Sequence, residues 1–287
     1  MARVVVVHGI GQEFLGPEQL RSAAVPALRD GVLLARHEPP PPEDVDCAFY
    51  GDLYTEPGSR SADVPPWDEF DVEEGLEAEL LDAWWAAADP ERGEEEGTRG
   101  IAGYAGSRAL LSERVRSALD ALAGTRYFGK VSDRLLILAL KQVRRYLTEP
   151  DLRAAAQERV AARIGPDTRV VVAHSLGSVV AYETLCARPD LPVTDLVTIG
   201  SPLGLRRIVF DRLAPAPADG RAAWPGPVVR WTNLADHGDI VALPAQLAPR
   251  FGDAVADDRI DNGARMHDLS RYLSAPKTGA AVARGLR

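Results

Sequence analysis

Apolar residues recur in two rhythms along the chain. Short apolar runs at Val4–Val7, Val45–Tyr50, Val170–Ala173, Leu196–Ile199 and Val228–Asn233 read as strands. Val4–Val7 is continuous, the mark of a strand covered on both faces in a parallel sheet. Between the runs, apolar positions repeat every three to four residues. Pro17–Leu34 carries Leu20, Ala24 and Leu28 in register, with Pro26 expected to bend or shorten the helix. A helix from Glu149-Pro150 to Ile164 stops at Gly165, and another follows Ser175 with Val180, Thr184 and Leu185 on one side. Strands alternating with helices predict an α/β fold: a mostly parallel sheet with helices on both faces.

One segment breaks the alternation. Residues 55–148 contain no convincing strand, which leaves 1–54 and 149–287 as the core and 55–148 as a helical insertion. Helices are expected at about Trp67–Ala88, ended by Asp89-Pro90, at about 107–123, and at Asp133–Leu147. The first carries a stripe of Leu76, Leu80, Trp84 and Ala87, widened by Leu81 and Trp85, opposite a nearly all-acidic side. Such a segment serves either as a pack covering the sheet or as a cap or lid over a site. Residues 93–106 are glycine-rich and read as mobile, and 39–42 is a proline linker. Residues 203–227 read as loop, and 279–287 as a fraying tail.

Charge sharpens this division. The net charge is −9, but residues 43–96 hold 19 acidic residues against two arginines. The acidity is local, and the insertion would suit a basic protein partner. The overall balance argues against nucleic acid. Two cysteines, Cys47 and Cys186, fit reduced core thiols. No apolar run approaches the roughly 20 residues of a transmembrane helix, and the first strand follows Met-Ala-Arg directly. A cytoplasmic protein is expected. Histidines and cysteines show no metal-ligand spacing, and no phosphate-cradling glycine loop is present, so no metal or cofactor is expected.

The polar signals fall where strands end, the edge at which parallel sheets place their sites. His174-Ser175-Leu176-Gly177 lies between a strand and a helix, putting Ser175 at the apex of a sharp turn with small residues, Ala173 and Gly177, two positions to either side. A serine needs a base, and the base needs an orienting carboxylate. His267 follows the last strand and precedes a short helix that can pin it, which makes it the best candidate base. His174 is expected to point away from the pocket. Asp239 is the preferred acid, because Ile240-Val241 return to the core and fix it at the exit of the turn Asp236-His237-Gly238-Asp239; Asp236 is the alternative. Ser201 is followed by Pro202 and reads as a structural turn at the pocket edge.

The Ala173-to-Gly177 stretch resembles the nucleophile elbow of α/β-hydrolases, G-x-S-x-G, with alanine for the first glycine. The order Ser175, Asp239, His267 matches that superfamily, and Asp239-Ile240-Val241-Ala242-Leu243-Pro244 looks like the acid turn of filamentous-fungal lipases. The resemblance implies that the Leu176 amide and the amide of Ile10, or alternatively Gly11, form an oxyanion hole, with His8, Gly9 and Gly11 supporting the loop. It implies a serine hydrolase of the carboxylesterase or lipase-like kind, acting on a small-molecule ester or acyl substrate. Acyltransferase or thioesterase chemistry would use the same residues. A non-catalytic binding or regulatory protein on the same scaffold is the contrasting expectation.

Overall fold

A computed structural model describes residues 2–55, 65–88, 108–123 and 132–287. The glycine-rich stretch 93–106 lies outside these residues. The chain divides into two compact units: Met1–Pro57 with Glu149–Arg287, and Gly58–Thr148.

The first unit is built on six parallel strands: β1 (Val4–Val7), β2 (Val45–Ala48), β3 (Val170–His174), β4 (Asp195–Ile199), β5 (Arg230–Asp236) and β6 (Val255–Ile260). Their order across the sheet is β2-β1-β3-β4-β5-β6. Every residue of β1, β3 and β4 is buried, as expected of strands covered on both faces. Successive side chains point to opposite faces. One face of β1 and β3, carrying Val4, Val6, Val170 and Val172, packs on α1 (Pro17–Leu34) and on two C-terminal helices, α8 (Leu269–Ser274) and α9 (Pro276–Gly285). The other face meets α6 (Leu176–Ala187), which in turn packs on α5 (Pro150–Ala161), and a short helix, α7 (Ala248–Phe251), precedes β6.

The C-terminal part of this unit departs from expectation in two places. β6 is a real strand, although its sequence Val-Ala-Asp-Asp-Arg-Ile is mostly polar; it lies at the sheet edge with alternating exposed positions, so it lacks the apolar run of a central strand. Residues 279–287 are not a fraying tail. Most of them form α9, whose Gly279, Ala281 and Val282 are buried against α1 and the sheet. Small residues there permit close helix packing, which a search for large apolar residues overlooks. Pro26 leaves α1 as one helix from Pro17 to Leu34.

The second unit contains α2 (Leu76–Ala88), α3 (Arg108–Ala123) and α4 (Asp133–Thr148), packed on one another. α2 begins nine residues later than Trp67, with irregular chain over 65–75. Leu80, Leu81, Trp84 and Trp85 are buried. The opposite side of α2 is not wholly solvated: the fully buried Glu77 carboxylate accepts hydrogen bonds from Arg144 at 2.7 Å and Lys141 at 3.4 Å. Pairing of this kind is what lets a carboxylate remain in an interior. Among the described residues no helix is long and apolar enough to cross a membrane.

Candidate active site

β3 ends at His174 and α6 starts at Leu176, so a single residue, Ser175, turns the chain. It takes φ 51° and ψ −132°. That left-handed conformation is uncommon outside glycine and persists only where surrounding structure enforces it. Here the Ser175 N–H donates to Ile199 O (3.1 Å), and its carbonyl accepts from the Ser178 N–H and hydroxyl. The small residue two positions on has a direct cause. A Cβ on Gly177 would lie 2.1 Å from the His8 carbonyl oxygen, so only glycine lets α6 start this close to the end of β1.

The serine hydroxyl lies 2.9 Å from His267 Nε2, and His267 Nδ1 lies 2.7 Å from Asp239 Oδ2. With Nδ1–H donating to the carboxylate, Nε2 is left unprotonated to accept from the hydroxyl. Asp239 is buried and its two oxygens are divided between tasks. Oδ1 accepts the backbone N–H groups of Val241 (2.9 Å) and Ala242 (3.3 Å), while Oδ2 accepts from His267 and from the Tyr272 hydroxyl (2.7 Å). Asp236, the alternative acid, has a different task. Its oxygens accept backbone N–H groups from Gly238 and Asn262, so it ties two turns together and does not face the imidazole.

Tyr272 belongs to the site without having stood out in the sequence. Its hydroxyl donates to Asp239 and accepts the Asp236 N–H (2.8 Å). Burial, followed by the Asp239 charge, pushes its ionisation far upward, so it stays a donor. A tyrosine four residues beyond the Asp268 cap of α8, on a buried helix face, is the only signal its sequence position offered.

His174 departs from expectation. Counting along β3 puts it on the same face as Val170 and Val172, the face of α1 and α8, and it lines the cavity beside Ser175. Its ring lies 4.6 Å from that of His267, centroid to centroid. Nε2 is buried with no partner among the described residues. Burial, reinforced by the neighbouring His267, drives the His174 pKa well below the ordinary histidine value, so the ring is neutral.

The loop after β1 lies against the serine. A Cβ on Gly9 would fall 2.7 Å from Ser175 Cβ, so a side chain there would displace the hydroxyl. His8 fixes this loop through a defined tautomer. Its Nε2 accepts the Tyr50 N–H (3.1 Å), so its Nδ1–H donates to Gly9 O (2.6 Å). Burial lowers its pKa from 6.5 to about 4, keeping that neutral form. Tyr50 also stacks on the His8 ring and donates its hydroxyl to His8 O. The Gly9 carbonyl and the Ile10 N–H share one planar peptide and point in opposite directions, so the His8 bond also sets the direction of the Ile10 amide. Gly11 takes φ 73°, turning the loop toward α1. On the other flank, the Leu176 N–H is the first of α6 and has no acceptor within the helix.

No group of three or more His, Cys, Asp or Glu able to hold a metal occurs among the described residues. Ser201 Oγ lies 2.7 Å from Ser178 Oγ and accepts the Leu203 N–H, a turn-forming arrangement. The site thus places a hydroxyl, an imidazole and a buried carboxylate in one hydrogen-bonded line, beside two amide-bearing loops. No family model, curated protein or solved structure matches the chain.

Proposed function

We propose that this protein is a serine hydrolase of the α/β-hydrolase type, cleaving a carboxylic ester or related acyl bond through an acyl-enzyme. The single observation that carries the reading is the Ser175–His267–Asp239 line, with contacts of 2.9 and 2.7 Å. The fold type is supported by the parallel sheet, with Ser175 after β3, Asp239 after β5 and His267 after β6, in the chain order of that superfamily.

In this mechanism His267 Nε2 takes the Ser175 proton as Oγ attacks the acyl carbon. Asp239 holds the ring in the Nδ1–H tautomer and stabilises the imidazolium. The oxyanion forms against the Ile10 and Leu176 amides, each worth about 3 kcal/mol in the transition state. His267 then gives its proton to the leaving oxygen. Water activated by the same nitrogen attacks the acyl-enzyme and releases the acid. Neutral His174 beside His267 places no second positive charge next to the imidazolium.

Stopped-flow hydrolysis of p-nitrophenyl acetate tests the proposal. A burst of about one nitrophenolate per chain is expected if deacylation is the slower step, with kcat/KM lost by about 10³-fold or more in Ser175→Ala. Undiminished turnover by Ser175→Ala would reject it.

A further inference from the structure

The cavity beside Ser175 has a composition that speaks to substrate. It measures about 340 Å³ and opens on Ser175 and His267. Two helices build its walls, each with apolar side chains: Leu20 and Ala23 from α1, and Leu269 from α8. Leu15, on the loop leading into α1, adds another apolar wall although it is 40% exposed. An isolated exposed leucine needs no explanation, but one lining a cavity at a nucleophile has a surface to offer. The Ile10 side chain also reaches the cavity, so the residue whose amide is assigned to the oxyanion also bounds this space.

Six polar residues share the lining, Gln12, His174, Ser175, His267, Asp268 and Ser270, but several are already engaged: Ser175 and His267 with each other, and Gln12 with the Ile10 carbonyl. Asp268 is the one carboxylate among the lining residues, and it accepts the Arg271 N–H at the start of α8. No lysine or arginine lines the space to receive an anion. Ligand pockets span roughly 300–1,000 Å³, so this one sits at the small end. At roughly 30 Å³ per non-hydrogen atom, the share of one water in the liquid, it holds about ten such atoms.

Resting on the serine-hydrolase reading, we infer that this cavity is the chain-binding subsite of the enzyme and takes a short, uncharged apolar chain of the substrate, of up to about eight carbons. Long-chain lipid esters outgrow this space and chains ending in a carboxylate meet the Asp268 charge, so both are disfavoured. Ala23 on α1 and Leu269 on α8 set its length limit. The chain belongs either to the acyl group or to the alcohol, and two ester series separate these sources.

The experiment uses the full-length protein with p-nitrophenyl esters of acetate, butyrate, octanoate and palmitate, and with acetates of ethanol, butanol and octanol. A succinyl hemiester probes the charged chain. The wild type is expected to prefer butyrate to octanoate lengths over palmitate in the acyl series, or to show the corresponding limit in the alcohol series. Ala23→Trp should shift the preference toward the shortest ester by about tenfold or more. Leu269→Ala should shift it toward longer chains, and the opposite signs of the two shifts exclude a general loss of folding as their cause. Turnover with an unmoved chain preference in both variants, or efficient cleavage of palmitate or the hemiester by the wild type, overturns the cavity assignment alone. A wild type that neither turns over any ester nor reacts with a fluorophosphonate overturns the serine-hydrolase reading as well.

Discussion

Two neighbouring strands end in buried serines at the same sheet edge, yet the serines are in different states. Ser175 follows β3 and Ser201 follows β4, and each is 2% exposed. At β3 the serine itself adopts φ 51°; at β4 the positive φ of 58° falls on Gly200, one residue earlier. That one-residue difference aims Ser175 Oγ at His267 and Ser201 Oγ at Ser178. The next residue differs too: Leu176 brings the first free amide of a helix, whereas Pro202 has no N–H to give. A serine at the end of a parallel strand is therefore no sufficient sign of a nucleophile. The backbone conformation of the serine sets what its hydroxyl reaches, His267 at Ser175 and Ser178 at Ser201.

The same lesson holds for the two aspartates of the β5 turn, and replacing them should give the largest contrast. Asp239→Asn is expected to lower kcat by about 10⁴-fold, because a neutral amide disturbs the His267 tautomer while the fold remains. Asp236→Asn should spare most activity and appear in thermal unfolding, since it removes charge from hydrogen bonds to Gly238 and Asn262. Steady-state kinetics on both variants, with circular dichroism to establish folding, checks this. The reverse pattern would move the acid to Asp236.

Next in size is an effect of pH on the loop flanking Ser175, one that the Ser201 turn has no histidine brace to produce. Neutral His8 holds Gly9, and its pKa of about 4 lies below the ordinary 6.5. The unfolded chain takes up this proton first as pH falls. The stability contributed by the neutral ring is complete above pH 6.5 and is lost between 6.5 and about 4, by about 3 kcal/mol in total. Urea unfolding across that range should show the wild type losing about that much more than His8→Asn. Parallel losses would remove His8 from this role.

A smaller effect probes the support behind the acid. Tyr272→Phe removes one hydrogen bond from Asp239 Oδ2 and leaves the Asp236 N–H without its acceptor. A fall in kcat of about tenfold is expected, matching about 1.4 kcal/mol for a bond to a charged group. An unchanged pH–rate profile and kcat would show that the backbone amides of Val241 and Ala242 suffice.

How much of this is legible in a sequence depends on how local the determinant is. Strands β1, β3 and β4 are readable because burial on both faces demands continuous apolar runs, and the elbow because strand, serine and Gly177 are contiguous. Asp239 and His267 are readable from chain order and turn chemistry, and the fold brings both to Ser175. β6 is hidden by its edge position, and α9 by its small residues. Tyr272 and the direction of His174 depend on which helix packs on which face of the sheet. Strand parity alone places His174 with Val172, but nothing local says that α1 and α8 lie on that side.

The central claim is that Ser175, and not its neighbour at the next strand end, is the nucleophile. Fluorophosphonate labelling followed by intact mass and peptide mapping tests it directly. One adduct is predicted on Ser175 in the wild type and in Ser201→Ala, and none in Ser175→Ala. An unlabelled wild type, an adduct mapped to Ser201, or equal labelling of Ser175→Ala would contradict the account.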